Sequence, residues 1–242
     1  MADEFISKRY YPMIPSDLLF KRARRLERIL TLLAAEDPDV MLLQEVMLSE
    51  YNAIEKQFAR THHLIKSKNI IWQGIRSHTY NVVLLRKNMF SIKGAREENF
   101  DFGLVVSCFL KYGPTSYIPI TICNVHLDDL SKVKRLKQLE EIEPYLLEVN
   151  NVILGGDFNE NYSTSSNSNN IYNNVKSYGL TIMNRDLTYF IGRKMCIDNI
   201  MLKGHASKER PRVRVINDYD NDILQHFINY GSDHLPVIVI TK

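Results

Sequence analysis

The arrangement of apolar residues predicts an α/β fold in which two packed β-sheets carry helices on their outer faces. Short continuous apolar runs, the pattern of a strand buried on both faces, recur at 40–44, 81–85, 104–110, 118–125, 152–154, 197–202 and 237–240. Long helical periodicity is confined to two stretches, one opening at Ser16 and one over 131–149. So many strands for so few helices do not suit a sheet in which every strand is followed by a helix. With 242 residues the chain has the length of one α/β domain, taken here as 1–242.

The first helix is expected to begin at Ser16 as N-cap and to bury Leu18, Leu19, Leu26, Ile29, Leu30 and Leu33, with Pro38 ending it. Its other face carries Lys21, Arg22, Arg24, Arg25 and Arg28. Such a face is usually just solvated, and in some proteins it meets a polyanion. The run at 40–44 reads as a buried strand that delivers Glu45 at its C-terminal end. The second helix is expected to bury Val133, Leu136, Leu139, Ile142 and Leu146. The Asn- and Ser-rich stretch 161–174 reads as a polar loop beside the strand that ends in Gly155-Gly156-Asp157.

Composition narrows the function. The content is 45% apolar and 24% charged, and no apolar run approaches the roughly 18 residues of a membrane span, so no membrane partner is expected. Cys108, Cys123 and Cys196 are far apart and form neither a zinc site nor a disulfide framework; buried, reduced thiols are expected. With no basic-then-apolar leader at the N-terminus, an intracellular location, cytoplasmic or nuclear, is expected. A net charge of +3 is compatible with a phosphate-bearing partner. Nothing argues for an oligomer, and a monomer is the default expectation.

Several strand ends carry polar residues with no place in a core: Glu45, His126, Asp157 with Asn159, and Asp233-His234. Carboxylates and amides gathered on one rim of a sheet suit Mg²⁺ or Mn²⁺, which prefer oxygen ligands. Taken singly, each has an ordinary explanation: a solvated turn for Gln44-Glu45, a tight bend for the glycines, a core histidine for His126, a structural pair for Asp233-His234. Ser232-Asp233-His234 is not a hydrolase triad, since neighbours on an extended chain point in opposite directions. The signatures of a nucleophile elbow, a phosphate loop and a dinucleotide fold are missing from the sequence.

Together, LLQEV, NVHL, GGDFN, IDNI and GSDHLPV occur in the order found in the endonuclease/exonuclease/phosphatase superfamily, which the chain resembles from Asp3 to its end. The resemblance implies a DNase I-like, four-layered α/β sandwich of two mixed β-sheets flanked by helices. It implies that Glu45 binds the metal, that Asp157 and Asn159 orient the attacking water and hold the phosphate, and that Asp233 supports His234 or the metal. His126 is implied as a donor to a phosphoryl oxygen, and Asp198 matches a catalytic carboxylate. The metal set is then Glu45, Asp157, Asn159 and Asp233, with Mg²⁺ or Mn²⁺ as cofactor. Tyr80, Asn81, Arg24 and Arg28 are the candidate substrate contacts.

The opening segment most resembles the deadenylase and nocturnin-like branch. It matches from just after an asparagine that the family's first strand carries, which implies an incomplete first strand lacking one ligand. The function implied is a divalent-metal-dependent phosphodiesterase acting on RNA or DNA, first of all an RNA 3′-exonuclease. The alternatives are a tyrosyl-DNA phosphodiesterase-like repair enzyme, an inositol or lipid phosphatase, and a catalytically impaired binding module.

Overall fold

The computed structural model describes residues 22–68, 71–72, 75–76, 78–162, 170–189, 194–204, 211–217, 225, 229 and 231–241. Ser16, Leu18, Leu19 and Lys21 lie outside these residues. Helix α1 (Arg22–Glu36) is followed by β1 (Val40–Met47), α2 (Leu48–Phe58), β2 (His62–Lys66), β3 (Ile71–Trp72), β4 (Ile75–Arg76) and β5 (Thr79–Arg86). Then come β6 (Phe90–Phe100), β7 (Gly103–Tyr112), β8 (Ser116–His126), α3 (Lys132–Glu148) and β9 (Val152–Asp157). The remainder is α4 (Ile171–Ser177), β10 (Thr181–Ile182), β11 (Asp198–Lys203), β12 (Arg212–Val215) and β13 (Val237–Ile240).

Two sheets dominate, and alternation along their strands sorts the core into layers. The smaller sheet runs β1-β5-β2 and its described pairs are antiparallel. Within β5, Val82 and Leu84 pack with Met41, Ile54 and Phe58 under α1 and α2. Val83 and Leu85 face the other way, onto Leu104, Val106, Ile120 and Ile122 of the larger sheet. That sheet runs β10-β11-β9-β8-β7-β6, with β8 and β9 parallel across the α3 crossover and its other neighbours antiparallel. Its far face, with Cys123, Val125 and Leu154, packs on Leu139, Ile142 and Leu146 of α3 and on Tyr172 and Val175 of α4. Helices, sheet, sheet and helices therefore form the four layers expected, and the larger sheet is the mixed one.

Several local expectations are corrected. Val133 is 66% exposed and belongs to the solvent side of α3, because the buried stripe runs through Arg135, Gln138 and Leu139. Arg25 is 3% exposed: the α1 backbone there lies against Gly231, whose missing Cβ would stand 2.6 Å from the Arg25 carbonyl oxygen. The polar stretch 161–174 contains the start of α4, capped by Asn170 accepting from the Asn173 N–H. Gly155 and Gly156 lie inside β9 and form no turn. A Cβ on Gly156, at φ +137°, would fall 1.9 Å from the Val125 carbonyl oxygen, so β8 and β9 can approach only because glycine stands there. The three cysteines are free and buried, as expected.

Among the described residues β1 pairs with β5 alone, while β13 pairs with β12. An apolar cavity of about 750 Å³ separates β1 from β13, lined by Val40, Leu42, Ile200, Ile238 and Ile240, and it reaches Gln44, Asp198 and His234.

Candidate active site

The order β11-β9-β8 places three chemically active residues in one row. His126 ends β8 and Asp157 ends β9, and the two are register partners in the parallel ladder. Asp198 opens β11 and is the antiparallel partner of Asp157. Neighbouring strands are about 4.8 Å apart, so the row brings the three side chains within reach of one another. His234 closes over it: Nδ1 stands 2.9 Å from Asp198 Oδ2, while Nε2 lies 4.0 Å from Asp157 Oδ2 and 3.8 Å from Asp233 Oδ2. His126 Nε2 approaches the same Asp157 oxygen at 3.7 Å. With its Nδ1–H donated to a carboxylate, the His234 ring is fixed in orientation and presents Nε2 to the cleft.

Asp157 and Asn159 come together through a turn, and not as alternate residues of one extended strand. Asn159 has φ +48°, which returns its N–H to Asp157 Oδ1 at 2.8 Å. Its Nδ2 donates to the Leu127 carbonyl at 2.9 Å, tying the ends of β8 and β9 together. Glu45 is likewise placed by an irregularity. Strand β1 does not end at Glu45 but runs on to Met47, with one extra residue between Leu43 and Val46 relative to β5. This β-bulge holds Glu45 at φ +56°, a left-handed conformation that costs a non-glycine residue about 1–2 kcal/mol. A bulge re-aims its side chain, and Glu45 reaches the fields of both His126 and His234.

Electrostatics follow from four carboxylates around two imidazoles. Burial, then the neighbouring Asp198 charge, push the Asp157 carboxyl up to about 6, against the pull of His234 and His126. Burial disfavours a charged His234, but Asp198, Asp233 and Asp157 outweigh it and raise the imidazole well above its ordinary value. Burial opposes ionisation of Glu45, while the His126 and His234 imidazoles pull its carboxyl the other way, toward the charged form. A buried carboxylate raised by its neighbour is the signature of a site short of positive charge. Asp157, Asp198 and His234 bring polar atoms within 4.8 Å of one another, a group that does not include Glu45 or Asp233; its two carboxylates are the oxygen donors a divalent cation prefers, while the charged imidazole beside them serves as a donor of hydrogen bonds.

The sequence-predicted substrate contacts divide. Tyr80 pairs with Val46, beside Glu45, and its ring lies 4.7 Å from the Lys66 ammonium. Arg24 is exposed and Arg28 half-buried on α1, the helix that abuts Gly231 two residues before Asp233. Asn81 is corrected: it is fully buried between the sheets, its Nδ2 donating to the carbonyls of Phe102 and Asn124, so it is a structural residue and no substrate contact. Thr188 and Tyr189 escaped notice in the sequence. Thr188 Oγ1 accepts from the N–H groups of Ile197 and Asp198, and its carbonyl accepts from Leu235, which ties the Asp198 and His234 segments together. The Tyr189 ring packs 5.0 Å from that of His234. Leu187-Thr188-Tyr189 carries no motif; only its position identifies it.

No curated protein sequence matches the chain. Among solved structures, the chain is similar to D. rerio TDP2 complexed with single strand DNA product (16% identity, TM-score 0.62, covering 91% of this chain and 93% of that one). It is also similar to an endonuclease/exonuclease/phosphatase from Bacteroides vulgatus (14% identity, TM-score 0.64, 90% of each chain). The Bacteroides thetaiotaomicron mannosyl-6-phosphatase shares 16% identity at a TM-score of 0.60, over 91% of each chain. These likenesses show a common fold. A profile of the Endonuclease/Exonuclease/phosphatase family matches residues 19–234, so that the chain belongs to this family of hydrolases acting on phosphoester bonds.

Proposed function

We propose that the chain hydrolyses phosphodiester bonds of nucleic acid with a divalent cation, Mg²⁺ or Mn²⁺, as cofactor. The observation that carries the reading is the row His126, Asp157, Asp198 across three paired strand ends, closed by His234. Glu45 and Asp157 are the residues to hold the cation, with Asn159 and Asp233 beside them. A bound cation supplies Lewis-acid stabilisation of charge on the phosphoryl and leaving oxygens. Asp157, with Oδ1 engaged by the Asn159 N–H, uses Oδ2 to orient the attacking water and take its proton. His234, charged through its pairing with Asp198, donates from Nε2 to a phosphoryl oxygen, and His126 Nε2 donates from the other side. Water adds to phosphorus as Asp157 takes its proton, the bond from phosphorus to the leaving ester oxygen breaks, and that oxygen takes a proton from solvent, so that a phosphomonoester and an alcohol result.

Nucleic acid is favoured as substrate by the aromatic Tyr80 beneath the Lys66 ammonium next to Glu45, a pairing suited to a base and its phosphate. The basic face of α1 beside the Asp233 loop and the fold shared with a protein seen with a DNA product agree with it. An RNA 3′-exonuclease is the first form of this reading and a 5′-tyrosyl-DNA phosphodiesterase the next. The fold shared with a mannosyl-6-phosphatase favours a second reading, hydrolysis of a sugar phosphate. Incubation with end-labelled poly(A) RNA, abasic DNA, 5′-tyrosyl DNA, an inositol phosphate and a hexose 6-phosphate, in Mg²⁺ or EDTA, chooses among them. Cleavage of the nucleic acids in Mg²⁺ alone is expected; turnover of a phosphomonoester alone would overturn the nuclease reading.

Two variants test the assignments. Glu45→Gln removes an anionic ligand and is expected to weaken metal binding and depress turnover in a folded protein, read by titrating activity against Mg²⁺. Unchanged activity at limiting Mg²⁺ would remove Glu45 from the metal site. Arg24→Ala with Arg28→Ala is expected to raise KM for a long polyanion and flatten its salt dependence without lowering kcat, because phosphate contacts act through counterion release. An unaltered salt slope would return that face to solvent.

A further inference from the structure

We infer that the Asn124 carboxamide, acting with Gln44, is a positioning device for Glu45 that clamps the β1 bulge across the sandwich; the inference rests on the metal reading of Glu45. The bulge places Gln44 and Glu45 opposite Asn81 alone, and Glu45 sits in a left-handed conformation that its own backbone does not favour. Some external contact must hold it there. Asn124 lies on β8, in the opposite sheet, and is 0% exposed. Its Nδ2 donates to the carbonyl of Leu43 at 3.0 Å and to that of Val82 at 2.9 Å, the last regular pair before the bulge. Its Oδ1 accepts from Gln44 Nε2 at 2.6 Å, so the residue just before Glu45 is tethered as well. On the other side, Asn81 Nδ2 donates to the Asn124 carbonyl at 3.3 Å.

This arrangement demands an amide. Only a group with two N–H donors and an acceptor, of asparagine's length, can satisfy two carbonyls and one amide donor together. An aspartate would set an acceptor against two carbonyls, and a leucine would take the amide donor from the Leu43 and Val82 carbonyls and leave Gln44 Nε2 with the Leu42 carbonyl alone. The placement also links two parts of the chemistry. Asn124 and His126 are alternate residues of β8 and share the face turned to the smaller sheet. The strand that presents His126 to Asp157 is therefore the one that grips the Glu45 segment, and the distance across the cleft from Glu45 to Asp157 is set by a buried side chain that itself meets no substrate.

The test measures Mn²⁺ affinity of the full chain by electron paramagnetic resonance, together with thermal stability in EDTA. Asn124→Asp is the direct variant; Gln44→Met, at a half-buried position, keeps the fold if the first does not. Gln44→Met is expected to weaken Mn²⁺ binding at least tenfold and to shrink the Mn²⁺-induced rise in melting temperature, with KM for substrate nearly unchanged. A merely structural role would lower the melting temperature in EDTA and leave Mn²⁺ affinity alone. In a Glu45→Gln background the same substitution is expected to cost little further affinity, because the ligand it positions is already lost. Unchanged Mn²⁺ affinity in folded Gln44→Met, or an equal loss with and without Glu45, would overturn the clamp while leaving the metal reading intact. An unaltered chain that binds no Mn²⁺ would overturn the metal reading and this inference with it.

Discussion

Replacing Asp157 with asparagine is expected to lower kcat by about a hundredfold to a thousandfold with little change in KM, and at the same time to make the metal-free protein more stable at neutral pH. The first effect follows because the oriented water matters most in the transition state, and an amide cannot take its proton. The second follows from the sign of the shift. The folded-state carboxyl is pushed up to about 6, above the ordinary aspartate value, so the folded state holds its proton more tightly than the unfolded chain does. Stability then falls as pH rises from the ordinary aspartate range of about 4 through about 6, a loss the asparagine variant escapes. The Asn159 N–H bond to Oδ1 survives the substitution. Urea midpoints in EDTA at pH 4 and pH 7, beside steady-state kinetics, check both parts. Near-normal kcat in the variant would overturn the mechanism. An identical pH dependence of stability in the two proteins would show that Asp157 is not destabilised by burial.

His234→Ala is expected to reduce kcat by a similar hundredfold to thousandfold, since it removes a charged donor aimed at the phosphoryl oxygen. Asp198→Asn is expected to reproduce much of this loss by releasing the ring and lowering its charge, and the two changes together should cost little more than either alone. The pH sign here is opposite in origin. The folded-state imidazole is raised well above its ordinary value by Asp198, Asp233 and Asp157, so its stabilising pairing is present in full below about 6.5 and is lost as pH rises through the folded value. Activity at low metal should therefore rise as Asp157 ionises near about 6 and fall as His234 loses its proton. The acidic limb should move to lower pH as Mg²⁺ is increased, because cation and proton compete for one carboxylate. A limb that stays in place over a hundredfold range of Mg²⁺ would separate Asp157 from the metal. Full additivity of the His234 and Asp198 substitutions would dissolve the dyad.

Much of the architecture was legible because strands buried on both faces leave unbroken apolar runs. Val82 to Leu85 could be recognised as a strand without knowing its partners, since one alternate set meets the helices and the other the opposite sheet. The edge strand β6, with exposed Lys93 and Glu97 among its residues, left no such run and went unseen, as did α2. Val133 shows the limit of helical periodicity: an apolar residue at the right spacing can still stand in solvent when the stripe is completed by buried Arg135 and Gln138. Residue type alone could not reveal that exchange, because the Arg135 guanidinium is neutralised by Glu160, 25 positions away.

For the site, the amino-acid sequence by itself determined which groups are available: four carboxylates, two histidines and an asparagine at or next to strand ends, in an order typical of the family. Tertiary structure alone decided which of them meet. The ladder register aligned His126, Asp157 and Asp198; a bulge turned Glu45 toward them; and burial of Asn81 withdrew a residue that its sequence position had offered to substrate. The pairing of His234 with Asp198, 36 residues apart, and the support of both by Thr188 depend on where loops return, which no local pattern encodes. Side-chain identity is a property of one residue, whereas distance, burial and the pKa shifts they cause are properties of the assembled neighbours.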